Sequence, residues 1–365
     1  AENIGKQNKD DIGLANIYET FGQIYKQMGK YSKAVNYLKE GLRIATNKEI
    51  LSREANILNT LGQCYTNMSQ FEHASDYLKR SISIKRQIDR PAQEIANSVG
   101  NLANVHKRIG DYAKAMSLLE ESIEIAREHS QIQLGRTIMM YANLLYYIGK
   151  TDQAHEQYLE SLDLCKKFKD TAALGMIYRH LGLIELNNEN PEKSIKYLMQ
   201  ANQTHQDSKQ QIAIDTTTLF LAQAHLQNND LDNASKYIDQ AVMLTNRRRH
   251  ADKTQSFDEY YTLPSRCVQA LINAKKGEGK NEELDPMLDE IKTLHQEKHK
   301  GRELWWLSQA YYLIKDYKHS QECQKLAQDE LYRKAERIRD EKIKQDYLEL
   351  PPLHKEIFMK MEDVP

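Results

Sequence analysis

The chain has 365 residues, is 40% hydrophobic and 28% charged, and its 51 Lys and Arg nearly cancel 52 Asp and Glu. A formal net charge of -1 and a pI near 7.0 leave no global electrostatic drive towards nucleic acid or anionic lipid. No apolar run reaches the roughly 18 residues of a membrane span, and the four cysteines (Cys64, Cys165, Cys267, Cys323) lie far apart with no CxxC pair. Neither a disulfide framework nor a zinc site is indicated, and such usage points to a reducing, cytoplasmic compartment.

Seven prolines and no recurring Val/Ile/Thr alternation predict an all-helical chain. Its mean hydropathy of -0.74 is polar for a globular protein and ordinary for an elongated array with a high surface-to-volume ratio. Ala1 and Ile4 stand before Gly22 as Ser81 and Ile84 stand before the following unit. Residues 1–10 are therefore expected to be the remnant of a preceding repeat helix, with a parent chain that continues upstream. Residues 11–246 divide into six units. With Gly22 taken as position 8 of the first, that position reads Gly22, Gly62, Ala103, Ala142, Gly182 and Ala222, 39 to 41 residues apart. Position 20 reads Ala34, Ala74, Ala115, Ala154, Ser194 and Ala234. Small side chains recurring at those two positions let two antiparallel helices pack closely. Position 15 is Gly29, Ser69, Gly110, Gly149, Glu189 and Asn229, a turn where Gly or Asn takes the left-handed conformation that ends a helix. Asn190-Pro191 reads as an N-cap followed by Pro at the first helical position.

Residues 247–330 read as two degenerate units, after a basic loop at Asn246–His250. The seventh unit is predicted as a helix from about Phe257 to Lys276, a break at Gly277-Glu278-Gly279, and a second helix with Asp285 as N-cap and Pro286 at N1. The eighth begins near Arg302, with Trp305, Trp306, Tyr311, Tyr317 and Ala327 in register. From Tyr317 the apolar spacing through Cys323, Leu331, Ile338, Ile343 and Tyr347 predicts one long helix stopped by Leu350-Pro351-Pro352. A short amphipathic helix, Leu353 to Met361, then closes residues 331–365.

This pattern resembles the tetratricopeptide repeat. The resemblance covers nearly the whole chain and matches six times over. The period near 40 exceeds the usual ~34 and is similar to the long-helix variety of kinesin light chains, LGN-type spindle adaptors and bacterial regulators of the MalT and Rap kinds. The extra ~6 residues per unit lengthen the paired helices by about 1.5 turns. The resemblance implies a right-handed α-solenoid of about eight hairpins. The stretch Ile338–Ile357 is similar to the segment that ends such arrays in bacterial multidomain ATPases, kinases and cyclases.

Motifs of chemistry are absent. There is no GxxxxGK[ST], GxSxG or GxGxxG, and Gly277-Glu278-Gly279-Lys280 is too short for a phosphate loop. His295 and His299 stand at i and i+4 on a helix, but Gln296 occupies the place where a zincin carries Glu. A solvated helix face is the reading for that pair. No catalytic residue, metal or cofactor is expected, and the chain is not read as an enzyme.

In the family it resembles, the first helix of each unit lines an inner groove through positions 2, 5, 9, 12 and 13. Position 9 reads Gln23, Gln63, Asn104, Asn143, Leu183 and Gln223; position 2 adds Asn16, Asn56, Asn97 and Arg136, and position 5 adds Asn59. An amide offers two donors and an acceptor, so a ladder of amides can pair with an extended peptide backbone whatever its sequence. Further along the lining turns cationic and aromatic: Lys107, Arg108, Arg136, Tyr146, Tyr147 and Arg179. Arg pairs bidentately with carboxylates and Tyr supplies contact area, so an acidic segment carrying aromatic or aliphatic groups is expected. Leu183, Leu186, Leu219 and Leu226 make units five and six more apolar, fit to receive a helix or a domain of the same parent. Position 5 lacks the Lys of a chaperone carboxylate clamp, which disfavours a chaperone C-terminus. The function expected is non-catalytic capture of a peptide or partner domain, as the regulatory arm of a larger signalling protein. The alternatives are a free-standing cargo adaptor and a regulatory array beside a protease domain.

Overall fold

The computed structural model describes residues 11–129, 131–208, 210–251, 262–293, 301–349 and 351–359. Residues 1–10, the start of the seventh unit near Phe257 and the pair His295/His299, for which the sequence sets expectations, lie outside them. The chain forms two compact units, Ala1–Leu144 and Leu145–Pro365. Every element among the described residues is helical.

In the first unit the helices are α1 (Asp11–Gln27), α2 (Tyr31–Asn47), α3 (Leu51–Asn67), α4 (Phe71–Gln87), α5 (Ala92–Arg108), α6 (Tyr112–His129) and the start of α7 (Gln131–Tyr147). Two 17-residue helices and their three-residue turns account for the forty-residue period. Helices α1, α3 and α5 each pack on the helix that follows, α2 and α4 each pack on the next odd helix, and α1 and α3 each also touch the next odd helix. Position 20 is sealed, with Ala34, Ala74 and Ala115 at 0% exposure. Position 8 shows why no larger side chain stands there. A Cβ on Gly62 would lie 2.5 Å from Leu78 Cγ, and one on Gly22 2.4 Å from Leu38 Cγ. Serine at position 27 then ties the hairpin: Ser81 Oγ donates to the Ala55 carbonyl (2.7 Å) and Ser122 Oγ to that of Ala96 (2.9 Å).

The turns are built alike. All six position-15 residues have positive φ, including Ser69 (59°) and Glu189 (57°). Each closes the same pair of bonds, as in Gly29 N to Lys26 O and Lys30 N to Tyr25 O. These satisfy carbonyls that a helix end otherwise leaves unpaired. The turns between units do likewise through Glu49, Asp89 and Lys169. The left-handed cost of roughly 1–2 kcal/mol for a non-glycine residue is borne wherever packing on both sides leaves no other path.

The second unit continues with the end of α7, then α8 (Thr151–Lys167), α9 (Thr171–Asn187), α10 (Pro191–Asp207), α11 (Gln211–Gln227), α12 (Leu231–Ala251), α13 (Leu263–Lys275), α14 (Asn281–Thr293), α15 (Gly301–Leu313), α16 (Tyr317–Ala335), α17 (Glu341–Glu349) and α18 (Pro352–Phe358). Asn190 does stand at the N-cap of α10 with Pro191 next, but its side chain makes no capping bond.

Four sequence-based boundaries need correction. Residues 246–250 are the last turns of α12 rather than a basic loop. Helix α14 starts at Asn281, because Glu283 N and Leu284 N already bond the Lys280 carbonyl (3.1 and 3.3 Å). Pro286 therefore lies inside the helix, and Asp285, rather than capping it, accepts a bond from Tyr311 Oη at 2.8 Å. The long C-terminal helix is two helices. The chain turns after Ala335, tucks Ile338 (3% exposed) into the core and restarts where Asp340 Oδ1 accepts from Ile343 N at 2.9 Å. The closing helix ends at Phe358, Met359 being extended.

The register is testable at Ala115. Leucine there is expected to overpack the α5–α6 hairpin and cost about 1–3 kcal/mol, read as a lower urea midpoint. Leucine at the exposed neighbour Lys114 is the control. Equal midpoints for the two variants would place the hairpin contact elsewhere.

Candidate functional site

In the first unit, positions 5, 9, 12 and 13 of a first helix fall on one face, since residues three or four apart are neighbours along a helix. Position 8 is held against the second helix, so the amide at position 9 is turned away from that contact. Helices α1, α3 and α5 bring these faces together. Lys26 Nζ donates to Gln63 Oε1 at 2.6 Å, and Asn101 Nδ2 donates to Asn59 Oδ1 at 3.0 Å, so each bond links one repeat to the next. A cavity of about 330 Å³ is lined by Lys26, Tyr31, Gln63, Thr66, Asn67, Asn101 and Asn104. Arg108 closes the row: its guanidinium lies 5.5 Å from the Phe71 ring centre and donates to Ser69 Oγ at 3.4 Å. Lys107 is half-buried, and burial, with Arg108 adjacent, lowers its pKa.

Gln63 and Asn104 line this cavity together with Lys26, Tyr31, Asn67 and Asn101, and Asn59 is tied to it through Asn101. Asn101 stands at position 6, outside the positions considered. Of the remaining candidates, Gln23 is exposed and donates to Glu19 Oε1 at 3.2 Å. Asn16 and Asn56 are half-buried, and the Asn16 side-chain oxygen is buried with no partner. Asn97 and Arg136 are exposed, and Asn143 is half-buried. None of these six lines the cavity.

In the second unit Tyr146, Tyr147 and Gln223 line one cavity of about 560 Å³ together with Leu183, Leu186, Leu226, Arg302, Trp305 and Trp306. Its far wall is the C-terminal segment, through Tyr347, Pro351, Leu353, His354 and Glu356. The apolar stretch expected to receive a helix thus faces part of its own chain. That segment is seated firmly. A Cβ on Gly149 would come within 2.8 Å of Pro351 Cδ and 3.0 Å of the Asp346 carbonyl oxygen. Trp305 Nε1 donates to Glu356 Oε2 at 3.1 Å, and Gln324 and Gln328 donate to the Ile357 carbonyl at 3.0 and 2.9 Å. Ile357 itself is fully buried.

Burial sets the protonation of this wall. It pushes His354 down to about 4, with Lys334 and Arg302 adding to the effect and the Tyr347 carbonyl opposing it. Burial raises Glu356, against the Trp305 bond, and it raises the Tyr146 and Tyr347 hydroxyls. Arg179 does not line this cavity. It is itself lowered by burial and acts on the buried Tyr158 and His205 instead.

Among the described residues no group of three His, Cys, Asp or Glu side chains could hold a metal ion. No helix there is long and apolar enough to cross a membrane.

Comparison with known proteins agrees with this architecture. One family profile described as tetratricopeptide repeat matches residues 92–167, and a second so described matches 15–48, 55–88 and 219–247. No curated protein matches the sequence. Several solved structures share the fold over most of their length. The apo form of the quorum sensor NprR from B. thuringiensis has 12% identity and a TM-score of 0.62, covering 90% of this chain and 93% of that one. Aspartyl phosphate phosphatase F from Bacillus subtilis has 13% identity and a TM-score of 0.63, covering 89% and 86%. A Rap protein complexed with competence and sporulation factor has 11% identity and a TM-score of 0.63, covering 92% and 99%. At such identities the likeness speaks for the fold alone.

Proposed function

Because this chain is a tetratricopeptide-repeat protein, we propose that it is a non-catalytic interaction or sensor module that holds an extended peptide segment along the inner helices of its first unit. The observation that carries this reading is the row of amides tied across repeats, Gln63 by the Lys26 ammonium and Asn59 by the Asn101 amide, with Asn104 in the same cavity wall as Gln63 and Asn101. Gln63 spends only its oxygen on Lys26. Its NH2 and the whole Asn104 amide remain for a main-chain carbonyl and N–H. Amides neither titrate nor attack, which suits capture and not chemistry. Lys26, Lys107 and Arg108 on the same helices favour a segment with acidic side chains.

Two of the similar structures are a quorum sensor and a protein held in complex with a factor, and a sensing use of the same fold fits this reading. The module serves as the regulatory arm of a larger signalling protein in the cytoplasm, where its four buried cysteines stay reduced.

The test is selection of linear peptides from a random display library on the full chain, followed by titration of the enriched sequences. Enrichment of acidic residues beside aromatic or aliphatic ones is expected. The double variant Gln63→Ala/Asn104→Ala should retain its helical circular dichroism and lose about tenfold in affinity, from two hydrogen bonds worth about 0.5–1.5 kcal/mol each. Unchanged affinity would remove the amide row from the function.

A further inference from the structure

The cavity of the second unit carries polar groups that the protein leaves unsatisfied, beside cations without a carboxylate partner. Arg302 lies over the rings of Phe220 (5.6 Å) and Trp306 (6.0 Å), and Lys334 over Tyr147 (4.3 Å) and Tyr347 (5.3 Å). Neither forms an ion pair among the described residues. The Tyr347 hydroxyl belongs to a residue only 1% exposed and has no hydrogen-bond partner; the Gln223 side-chain nitrogen is likewise buried and unpartnered. Tyr146 Oη accepts from Asn187 Nδ2 at 3.2 Å and keeps its own proton to donate. A buried polar atom left without a partner costs about 1–3 kcal/mol. A wall with several unfulfilled donors and two such cations is matched by a ligand that brings oxygen acceptors and negative charge.

We propose that this cavity is a second binding site, for a small amphipathic carboxylate whose acid group meets Arg302 and Lys334 and whose apolar body lies against Leu183, Leu186, Leu226 and Leu271. The site does not depend on the amide row of the first unit. A volume of about 560 Å³ falls within the usual range of small-ligand pockets, roughly 300–1,000 Å³. Carboxylate is favoured over phosphate by charge and surroundings. Glu189 and Glu356 also line the wall, so the cationic excess from Arg302, Lys334 and Lys275 is one charge. A dianion enclosed by leucine and aromatic side chains would be desolvated at much greater cost than a monoanion. The same wall includes Tyr347, His354 and Glu356 of the C-terminal segment, so ligand binding strengthens the seating of residues 341–358.

The chain's two tryptophans, Trp305 and Trp306, both line this cavity, so selectively excited tryptophan fluorescence reports on it alone. The probe is octanoate, with octanol and octylamine as neutral and cationic controls, titrated into the full chain below their micelle limits. A saturable fluorescence change with octanoate is expected, about tenfold weaker binding with octanol, and none with octylamine. Hydrogen exchange across 341–358 should slow on adding octanoate. Arg302→Gln is expected to weaken octanoate about tenfold and to leave octanol binding unchanged, a split that a misfolded variant would not give. Lys334→Gln should likewise weaken octanoate and leave octanol binding unchanged. Equal affinity for octanoate and octanol, or Arg302→Gln binding octanoate as the parent does, overturns the proposal; so does the absence of any saturable change.

Discussion

Trp305→Ala is expected to destabilise the second unit by about 3–5 kcal/mol, the range for removing a buried tryptophan. Trp305 is 1% exposed and is the largest fully buried side chain in the chain. It packs in one core with Leu271, Leu284, Leu307, Tyr311 and Ile357, which come from α13, α14, α15 and α18. Alanine would therefore open a void shared by four helices, with no single neighbour able to fill it. The variant also strips Glu356 of its Nε1–H donor (3.1 Å) and leaves a carboxyl already raised by burial without that partner. Trp305→Phe separates the two effects. It keeps most of the packing, loses the donor, and should cost about 1–3 kcal/mol. Stacked hairpins need not unfold in one step, so the measurement is hydrogen exchange along α15 and α18 in urea, not a global melting curve. Exchange there that is no faster in Trp305→Ala than in the parent would mean that this core is not what holds the C-terminal segment down.

The regular hairpins were legible because each unit repeats the same packing problem. Gly62 must leave room for Leu78, Ala115 must let α6 approach α5, and the same two positions recur wherever a hairpin closes. The turns were only half legible. Gly29 and Gly110 announce a left-handed residue, whereas Ser69, Glu189 and Lys169 adopt it under the pull of the packed helices on either side, which no local propensity records. The same reason explains the C-terminal miss. Apolar spacing runs on at a helical period from Cys323 to Tyr347, and the break after Ala335 comes from Ile338 being drawn into the core.

Legibility of the candidate site follows the same division. Gln63 and Asn104 were found because the amide recurs at one position of the repeat. Asn101 was missed because it stands at position 6, between the groove-lining positions, and is defined by its partner Asn59. The second cavity joins Tyr147 and Gly149 to Tyr347 and Pro351 across about two hundred residues of sequence, and no spacing rule connects them. In the sequence Arg302 and Trp305 fall in a degenerate unit, and their place in its register gives them no role. What marks them as a site is the neighbourhood: two cations over aromatic rings, a buried hydroxyl and a buried amide nitrogen without partners.

Acidification is expected to loosen the second unit through two buried histidines. His205 is fully buried, and burial, with the Arg179 guanidinium near it, pushes its pKa from 6.5 down to about 4. His354 is pushed to about 4 as well. In the folded chain both rings therefore stay neutral down to about pH 4, while in the unfolded chain both begin to protonate near pH 6.5. Between those values the unfolded state binds more protons, so stability is complete above about pH 6.5 and falls as the pH is lowered towards 4. At pH 5 the loss from His205 alone is about 2 kcal/mol relative to pH 7, from 1.36 kcal/mol per pKa unit. His354 is partly solvated and contributes less. The check is unfolding of the second unit by hydrogen exchange at pH 7, 6 and 5, for the parent and for His205→Asn. The variant starts lower at pH 7, because it disturbs the packing against Gly175, where a Cβ would already lie 2.5 Å from the imidazole. Its decline from pH 7 to 5 should nonetheless be about 2 kcal/mol shallower. The difference in slope, not the difference in starting stability, isolates the proton. Parallel curves for the two proteins would show that His205 titrates alike in the folded and unfolded chains, and that its enclosure between α9 and α10 carries no electrostatic cost.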